Sequence, residues 1–558
     1  MIQELLIALI ADAMASAARD LGISGDLPSP ELGAPKQVEH GDFTCNAAMG
    51  LAARAHLAPR KVAQAIVDAL APADFLERAE VAGPGFINIF LTNDWLYAVL
   101  TRVVTEGPRY GHAASNGLRA QVEFVSANPT GPLHVGHARN AVLGDALGRL
   151  LEAAGWSVER EYYFNDTGRQ MDQFGLSLEA RYLEVLGRES QMPEDGYFGS
   201  YVTDLAKDIV GEHGDSFADL APDQRLERVM AEGARRVLDQ IRATLDRFGV
   251  RFDVYLSEAE LARKGEIAAA EQRLRDNGYA YEAEGAVWFR STAFGDDKDR
   301  VIVRSNGAHT YFGADCAYLV DKFSRGFDRM LYVWGADHHG DVMRVKGAAQ
   351  ALGLDPDAVE IVLYQFVSFL RGGEPVKMSK RAGTFVSLDE LIDEVGADAA
   401  RFTLLQFSND SAMNFDIEVV KRQTMDNPVY YVQYGHARIA SILRKSETAG
   451  VVLGSISDAD PWLLSTRSEL DLLRALADIP ETIANAAAQR APHRLTHTAV
   501  DLAATFHRFY TECRVLDPDQ PALSLARLWL CTGAKQGIAN LLSIIGVSAP
   551  ASMERADG

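Results

Sequence analysis

The stretch Gln121-Val-Glu-Phe-Val-Ser-Ala-Asn-Pro-Thr-Gly-Pro-Leu-His-Val-Gly-His137 runs from a strand-like pattern through a Gly/Pro-rich loop into a long amphipathic helix. In that helix Val142, Ala146, Leu147, Leu150, Leu151 and Ala154 recur at i, i+4, i+5 and i+8, and Gly155 stands where a helix should stop. A second strand pattern follows, so the segment reads as a βαβ unit and requires a parallel sheet. Runs at Met330–Trp334 and Ile361–Tyr364 add strands to it, with a helix-rich insertion near 170–260 between them.

The loop from Asn128 to His137 places backbone amides and two imidazoles at a helix N-terminus, facing the carboxyl end of a strand, where anions bind in open α/β sheets. Gly136 lets a ligand approach the backbone, and His134 and His137, three residues apart, project from one side of the first turn. Two imidazole donors beside the positive end of a helix dipole suit the charge of a pentacovalent phosphate. An isolated HxxH also reads as a surface or metal-binding pair. The strand before it, the helix after it and the absence of a nearby cysteine or third ligand favour nucleotide over zinc.

Further along, Lys377-Met-Ser-Lys-Arg-Ala-Gly-Thr384 forms a basic loop leading to a helix that Ser387 and Glu390 open with a capping box. Its lysines suit a triphosphate, and Gly383 gives the loop freedom to close over it.

Outward from this centre, residues 1–110 read as a small α/β domain whose last strand is Gly85–Leu91, and residues 111–400 as a Rossmann-like parallel-sheet catalytic domain. Residues 401–558 read as an all-α helical bundle, with periodicity at Tyr430–Arg444, Arg467–Ala477, Leu502–Tyr510 and Leu525–Ile545. The 558 residues, 47% hydrophobic and 24% charged, are those of a folded multidomain protein. The early apolar run Ile7–Ala11 meets Asp12 at once, so neither a signal peptide nor a membrane helix is expected. Cys45, Cys316, Cys513 and Cys531 form no CxxC pair, which argues against disulfides and cysteine-rich zinc and for a reducing cytoplasm. A net charge of −22 opposes a generic nucleic-acid coat but not a local basic groove such as Arg438, Arg444 and Lys445 would line.

His134-Val-Gly-His137 resembles the His-Ile-Gly-His signature of class I aminoacyl-tRNA synthetases, and Lys377-Met-Ser-Lys380 resembles their KMSKS loop. Val135 in place of isoleucine and Arg381 in place of the last serine are mild departures, because neither removes an imidazole or a lysine. Across nearly the whole chain the resemblance runs to arginyl-tRNA synthetases. It is carried by Gly41–Ala48, Val81–Asn88, Glu123–Thr130, Asn165–Gln170, Asn427–Tyr434 and by Asp398-Ala-Ala-Arg401, which is similar to the string that names their anticodon-binding domain.

The resemblance implies a ligase that makes arginyl-adenylate from ATP, with Mg²⁺, and passes the arginyl group to tRNA(Arg), as a cytoplasmic monomer that needs tRNA for activation and has no structural zinc. It implies catalytic roles for His134, His137, Lys377 and Lys380, and ATP contacts from Gly136, Gly335, Asp337, His338, Met378 and Ser379. Many members carry a glutamine near Asp337, where this sequence has Asp337 and His338. A guanidinium has five donors and no acceptor, so its pocket needs carboxylates. The family pattern places a tyrosine and, four residues on, the guanidinium-binding aspartate, which map onto Tyr311 and Asp315, with Glu258 as a second acid and Asn128 at the α-amino end. Asn88 is implied to meet tRNA through the N-terminal domain. Tyr431, Tyr434 and Tyr510, on helices that carry Arg438 and Arg508, offer rings on which single-stranded bases stack. A cysteinyl enzyme would need zinc-ligand cysteines and a glutaminyl one would lack the Asn427–Tyr434 string. A non-catalytic RNA-binding relative need not keep the histidines and lysines, and a small-molecule nucleotidyltransferase need not carry the C-terminal bundle.

Overall fold

The computed structural model describes residues 2–33, 35, 37–376 and 386–553. They group into two compact units, one of Met1–Gly107, Ser446–Ala477 and Arg508–Gly533, the other of Pro108–Lys445, Asp478–His507 and Ala534–Gly558.

The second unit is built on a five-stranded, all-parallel sheet whose strands, numbered in chain order, are β1 (Arg119–Glu123), β2 (Ser157–Phe164), β3 (Val254–Ser257), β4 (Arg329–Gly335) and β5 (Val359–Tyr364). The spatial order is β5-β4-β1-β2-β3. Alternation along β1 sorts its side chains between two helices. Phe124, just past its end, packs where a Cβ on Gly144 of helix α1 (Ala138–Ala153) would stand, and Glu123 on the opposite face pairs with Lys322 of helix α2 (Tyr311–Ser324). Gly155 ends the α1 turn at φ 90°, where a Cβ would meet the Ala114 carbonyl at 2.2 Å. A glycine is required there.

The insertion contributes helices Arg169–Val185, Ser200–His213 and Pro222–Arg247. It also contains β3, which sequence patterning missed: four half-buried residues show neither alternation nor an apolar run. Two further features were not anticipated, an antiparallel sheet of Ala280–Ala283, Ala286–Phe289 and Arg300–Val303, and a strand Met413–Asp416 running parallel to Val367–Arg371. The expected C-terminal helices are present as Pro428–Thr448, Arg467–Ala477, His493–Glu512 and Pro521–Ile544, with Ile479–Gln489 in addition.

Arg401 of the Asp398–Arg401 string is 1% exposed. Its guanidinium donates to Asp145 of α1, to the Phe248 carbonyl at 2.9 Å and to the Ile545 carbonyl at 3.1 Å. Asp398 receives the Ser548 N–H at 3.0 Å and the Gln433 amide at 2.8 Å. The string therefore acts as a structural clamp, satisfying backbone groups at and just beyond helix ends that would otherwise be orphaned.

In the first unit a four-stranded antiparallel sheet, Leu32–Gly33, Phe43–Cys45, Phe86–Leu91 and Leu76–Ala82 in spatial order, packs with helices Ile2–Asp20, Ala47–Ala55 and Pro59–Asp68. Leu6, Ile10, Met14, Leu51, Val62, Ile66, Ile87 and Ile89 form its core.

Candidate active site

In the order β5-β4-β1-β2-β3 the winding direction reverses between β1 and β4, and ligands of open α/β sheets bind beyond the carboxyl ends of strands at such a point. Both loops that leave these strands there carry residues singled out in the sequence.

The loop after β1 is held in a costly shape. Val125 and Ser126 have φ of 64° and 45°, a left-handed conformation that is worst for a β-branched side chain. Asn140 accepts the Val125 N–H and donates to the Val333 carbonyl of β4 at 2.8 Å. The Tyr162 hydroxyl grips Ala127, donating to its carbonyl at 2.8 Å and accepting its N–H at 3.1 Å. The next residue, Asn128, is thereby fixed: its amide donates to Gln170 Oε1 at 2.7 Å and its oxygen accepts the Asn165 N–H at 3.2 Å.

At the start of α1 the His134 and His137 rings lie 4.0 Å apart. His134 Nδ1 accepts the Gly136 N–H at 3.1 Å, and His137 Nδ1 accepts the His134 N–H at 3.3 Å. With both Nδ1 atoms used as acceptors, a neutral ring at either position carries its proton on Nε2. Gly136 is needed because a Cβ would stand 2.7 Å from the His134 ring.

The turn is also bonded to the chain beyond the basic loop: Val135 donates to the Val386 carbonyl at 3.1 Å, and Leu388 donates to that of Leu133 at 2.9 Å. Ser387 and Glu390 form the expected capping box, with Glu390 N to Ser387 Oγ at 3.1 Å. Lys377, Met378, Ser379 and Lys380 lie outside the described residues.

After β4, Gly335 lets the Asp337 carboxylate fold back, since a Cβ would stand 2.5 Å from Asp337 Oδ1. Asp337 is mostly exposed, and His338 is oriented by Asp341, Nδ1 to Oδ2 3.1 Å.

A cluster of acidic side chains, Asp315, Glu258, Glu123 and Asp341, adjoins this edge. Tyr311, 57% exposed, opens α2, which Thr310 caps, and Asp315 follows one turn later. Glu258 accepts the Tyr163 hydroxyl at 2.8 Å and the Thr167 hydroxyl at 3.4 Å. Burial, aided by the charges of Glu123, Glu258 and Asp341 and opposed by Lys322, raises Asp315 to about 7. Burial likewise raises Glu258. A bound cation beside these two acids would favour their ionised forms. The structure thus brings Asp315 and Glu258 together and adds Tyr163, Gln170, Glu123 and Lys322, which sequence reasoning did not single out. Gln170 and Glu123 stood inside quoted strings, whereas Tyr163 and Lys322 gave no local signal.

Asn88 is 7% exposed within its sheet, opposite Thr44 and Glu80. Tyr434 is half-buried, with Tyr430 and His507 rings each 6.1 Å away and the Arg438 guanidinium 5.7 Å from its centroid. Tyr431 lies 4.9 Å from His507, and Tyr510 is half-buried on His493–Glu512. Among the described residues one trio has metal-ligand spacing, Glu212, His213 and Glu232, and Arg235 and Arg236 already hold its carboxylates. No described helix is long and apolar enough to cross a membrane.

Comparison with known proteins adds three family matches in chain order: the arginyl tRNA synthetase N terminal domain over residues 4–91, the class I (R) tRNA synthetase catalytic domain over 99–439 and the DALR anticodon binding domain over 432–553. The chain is 48% identical to the Arginine--tRNA ligase of Moorella thermoacetica over 551 residues, covering 98% of each. It is also 48% identical to that of Heliobacterium modesticaldum over 534 residues, covering 95% of each. The arginyl-tRNA synthetase structure of Thermus thermophilus superimposes with a TM-score of 0.77 at 23% identity, covering 99% of this chain and all of that one.

Proposed function

The chain belongs to the class I arginyl-tRNA synthetases, which ligate arginine to tRNA with ATP, and on that premise we propose how its residues divide the reaction. In the first step the arginine carboxylate attacks the α-phosphorus of ATP and pyrophosphate leaves. In the second a hydroxyl at the tRNA 3′ end attacks the arginyl-adenylate and AMP leaves.

The observation that supports the assignment is that the two imidazoles at the start of α1 and the half-buried carboxylates of Glu258, just past β3, and Asp315, in the second turn of α2, all stand at the carboxyl end of the same parallel sheet. His134 and His137 donate to the phosphate oxygens as the α-phosphorus becomes pentacovalent, and Gly136 leaves room for them. Lys377 and Lys380, with Met378 and Ser379, act on the same triphosphate, which arrives with Mg²⁺ as its counter-ion. Asp337 accepts from the ribose hydroxyls beside Gly335, and His338 lines the same edge. Asn128, locked by Gln170 and Asn165, holds the α-amino end, while Asp315, Glu258 and Tyr311 receive the guanidinium.

Residues 1–110, with Asn88, and 401–558, with Tyr431, Tyr434 and Tyr510, serve tRNA in this reading, 111–400 serve catalysis, and the enzyme works as a cytoplasmic monomer. Buried Asn88 acts by shaping its sheet.

Asp315→Asn keeps the shape and removes the charge. Assayed near pH 8, it should raise the arginine KM by the equivalent of about 2–4 kcal/mol while ATP KM stays put. An unchanged arginine KM in the folded variant would take Asp315 out of the pocket. The pH dependence has a definite sign. Arginine is a fixed cation and pairs only with ionised Asp315, so with that group at about 7 the wild-type KM is flat at higher pH and climbs about tenfold per unit below it.

For tRNA, charging should weaken steeply with salt as phosphate contacts release counter-ions. Tyr434→Ala should raise tRNA KM by about 1–3 kcal/mol of lost stacking. Unaltered tRNA affinity would leave Tyr434 a packing residue.

A further inference from the structure

Beneath the arginine pocket lies a charged seam that the reaction as described leaves unused. Asp315, Tyr318 and Lys322 share the face of α2 that meets the sheet, at i, i+3 and i+7. Lys322 is fully buried, its ammonium 2.7 Å from Glu123 Oε2 and 3.5 Å from the Tyr332 ring centroid. The other Glu123 oxygen accepts from Ser126 Oγ at 3.2 Å, at the foot of the strained loop that carries Asn128. Farther from the pocket Tyr318 bonds to Glu161, and Glu161 pairs with Arg325. The seam is therefore closed at its far end by an arginine and at its pocket end by a single lysine.

We propose that Lys322 is a positioning residue for arginine recognition, the buried counter-charge that anchors Glu123 and balances the pocket carboxylates so that Asp315 stays free to pair with the guanidinium. The inference rests on the assignment of Asp315 above. The charges acting on Asp315 come from every side: Glu123 at the end of β1, Glu258 at the start of Glu258–Arg263, Asp341 in the turn after β4, and Lys322 from its own helix, with the Tyr163 and Tyr332 hydroxyls on β2 and β4. Of these Lys322 alone favours the ionised form. Cation–π contact with Tyr332 and Tyr318, 3.5 and 4.1 Å to the centroids, gives the ammonium partial solvation in a site without water contact. Without that charge the remaining carboxylates hold a proton on Asp315 to higher pH, and a neutral acid does not pair with a cation.

The test is the pH profile of the arginine KM, from about pH 6 to about pH 9, in adenylate formation with tRNA present. Lys322→Met should move its midpoint up by about one unit, a roughly tenfold higher KM at pH 7, and Lys322→Arg should leave the midpoint in place. Glu123→Gln, which removes the foremost charge opposing ionisation of Asp315, should move it down. An unmoved midpoint in Lys322→Met, an equal shift in Lys322→Arg, or an ATP KM that rises in step with that of arginine would overturn the proposal. Should Lys322→Met fail to fold, Glu123→Gln decides, and an unmoved or raised midpoint there counts against it. Asp315→Asn separates the two readings: if it leaves arginine KM unchanged the pocket itself is wrong, whereas a raised KM with no Lys322 effect sinks this inference alone.

Discussion

Replacing His137 or Lys380 by alanine should lower the rate of arginyl-adenylate formation about 10²–10³-fold, roughly 2.7–4 kcal/mol, with little change in ATP KM. The asymmetry follows from when the contacts form. In the proposed arrangement the His137 ring is held by the turn, its Nδ1 occupied by the His134 N–H, so it acts on the phosphate from a fixed position. Such a donor acts most strongly on the charge that builds up in the transition state and much less on bound ATP. Solvated surface residues would behave differently, changing turnover by no more than about 0.5 kcal/mol. The double variant should lose less than the sum of the two singles, because both groups act on one triphosphate. Single-turnover measurement with tRNA present is the proper readout, since product release can mask the chemical step. Wild-type adenylate rates in both singles would remove the roles assigned to the two motifs.

Asp145→Ala should destabilise the fold by about 3–5 kcal/mol, more than Arg401→Met, although the two residues share one ion pair. The difference lies in what each deletion leaves behind. Asp145 also holds Arg149 at 2.8 Å and lies 3.7 Å from Arg160, so losing Arg401 leaves its charge answered. Among the described residues Arg401 hydrogen-bonds to no second carboxylate, only to the Phe248 and Ile545 carbonyls, so losing Asp145 strands a buried guanidinium. Arg401→Met is expected to cost about 1–3 kcal/mol through those unpaired carbonyls. Urea midpoints at constant m give both numbers, and equal losses would contradict the account.

The sheet was legible where its strands are long and flanked by strong punctuation. β1, α1 and β2 could be read from apolar spacing, a Gly/Pro loop and Gly155, and the nucleotide turn from two histidines set between a strand and a helix. β3 could not, because Val254–Ser257 has four half-buried residues and gains its identity only by pairing with β2. The same limit applied to the site. Asp315 came from a family string, but its raised pKa comes from burial in the company of Glu258, Glu123 and Lys322, brought together from three separate segments by the fold. Nor does a sequence disclose that the imidazoles of His134 and His137 are locked in one tautomer, since this depends on where two backbone N–H groups point.

The Arg401 clamp sets a timetable for biosynthesis. The guanidinium must find a carboxylate 256 residues earlier in the chain and a carbonyl 144 residues later. Translation adds about 5–20 residues per second, so Arg401 waits on the order of ten seconds or more after its own synthesis for Ile545 to be made. During that interval the nascent chain holds a cationic side chain destined for burial beside a surface not yet covered. A ribosome-bound chain arrested before Ile545 should therefore remain open to protease around α1, and closure should follow release of the last helix and the Ile545–Gly546 turn beyond it.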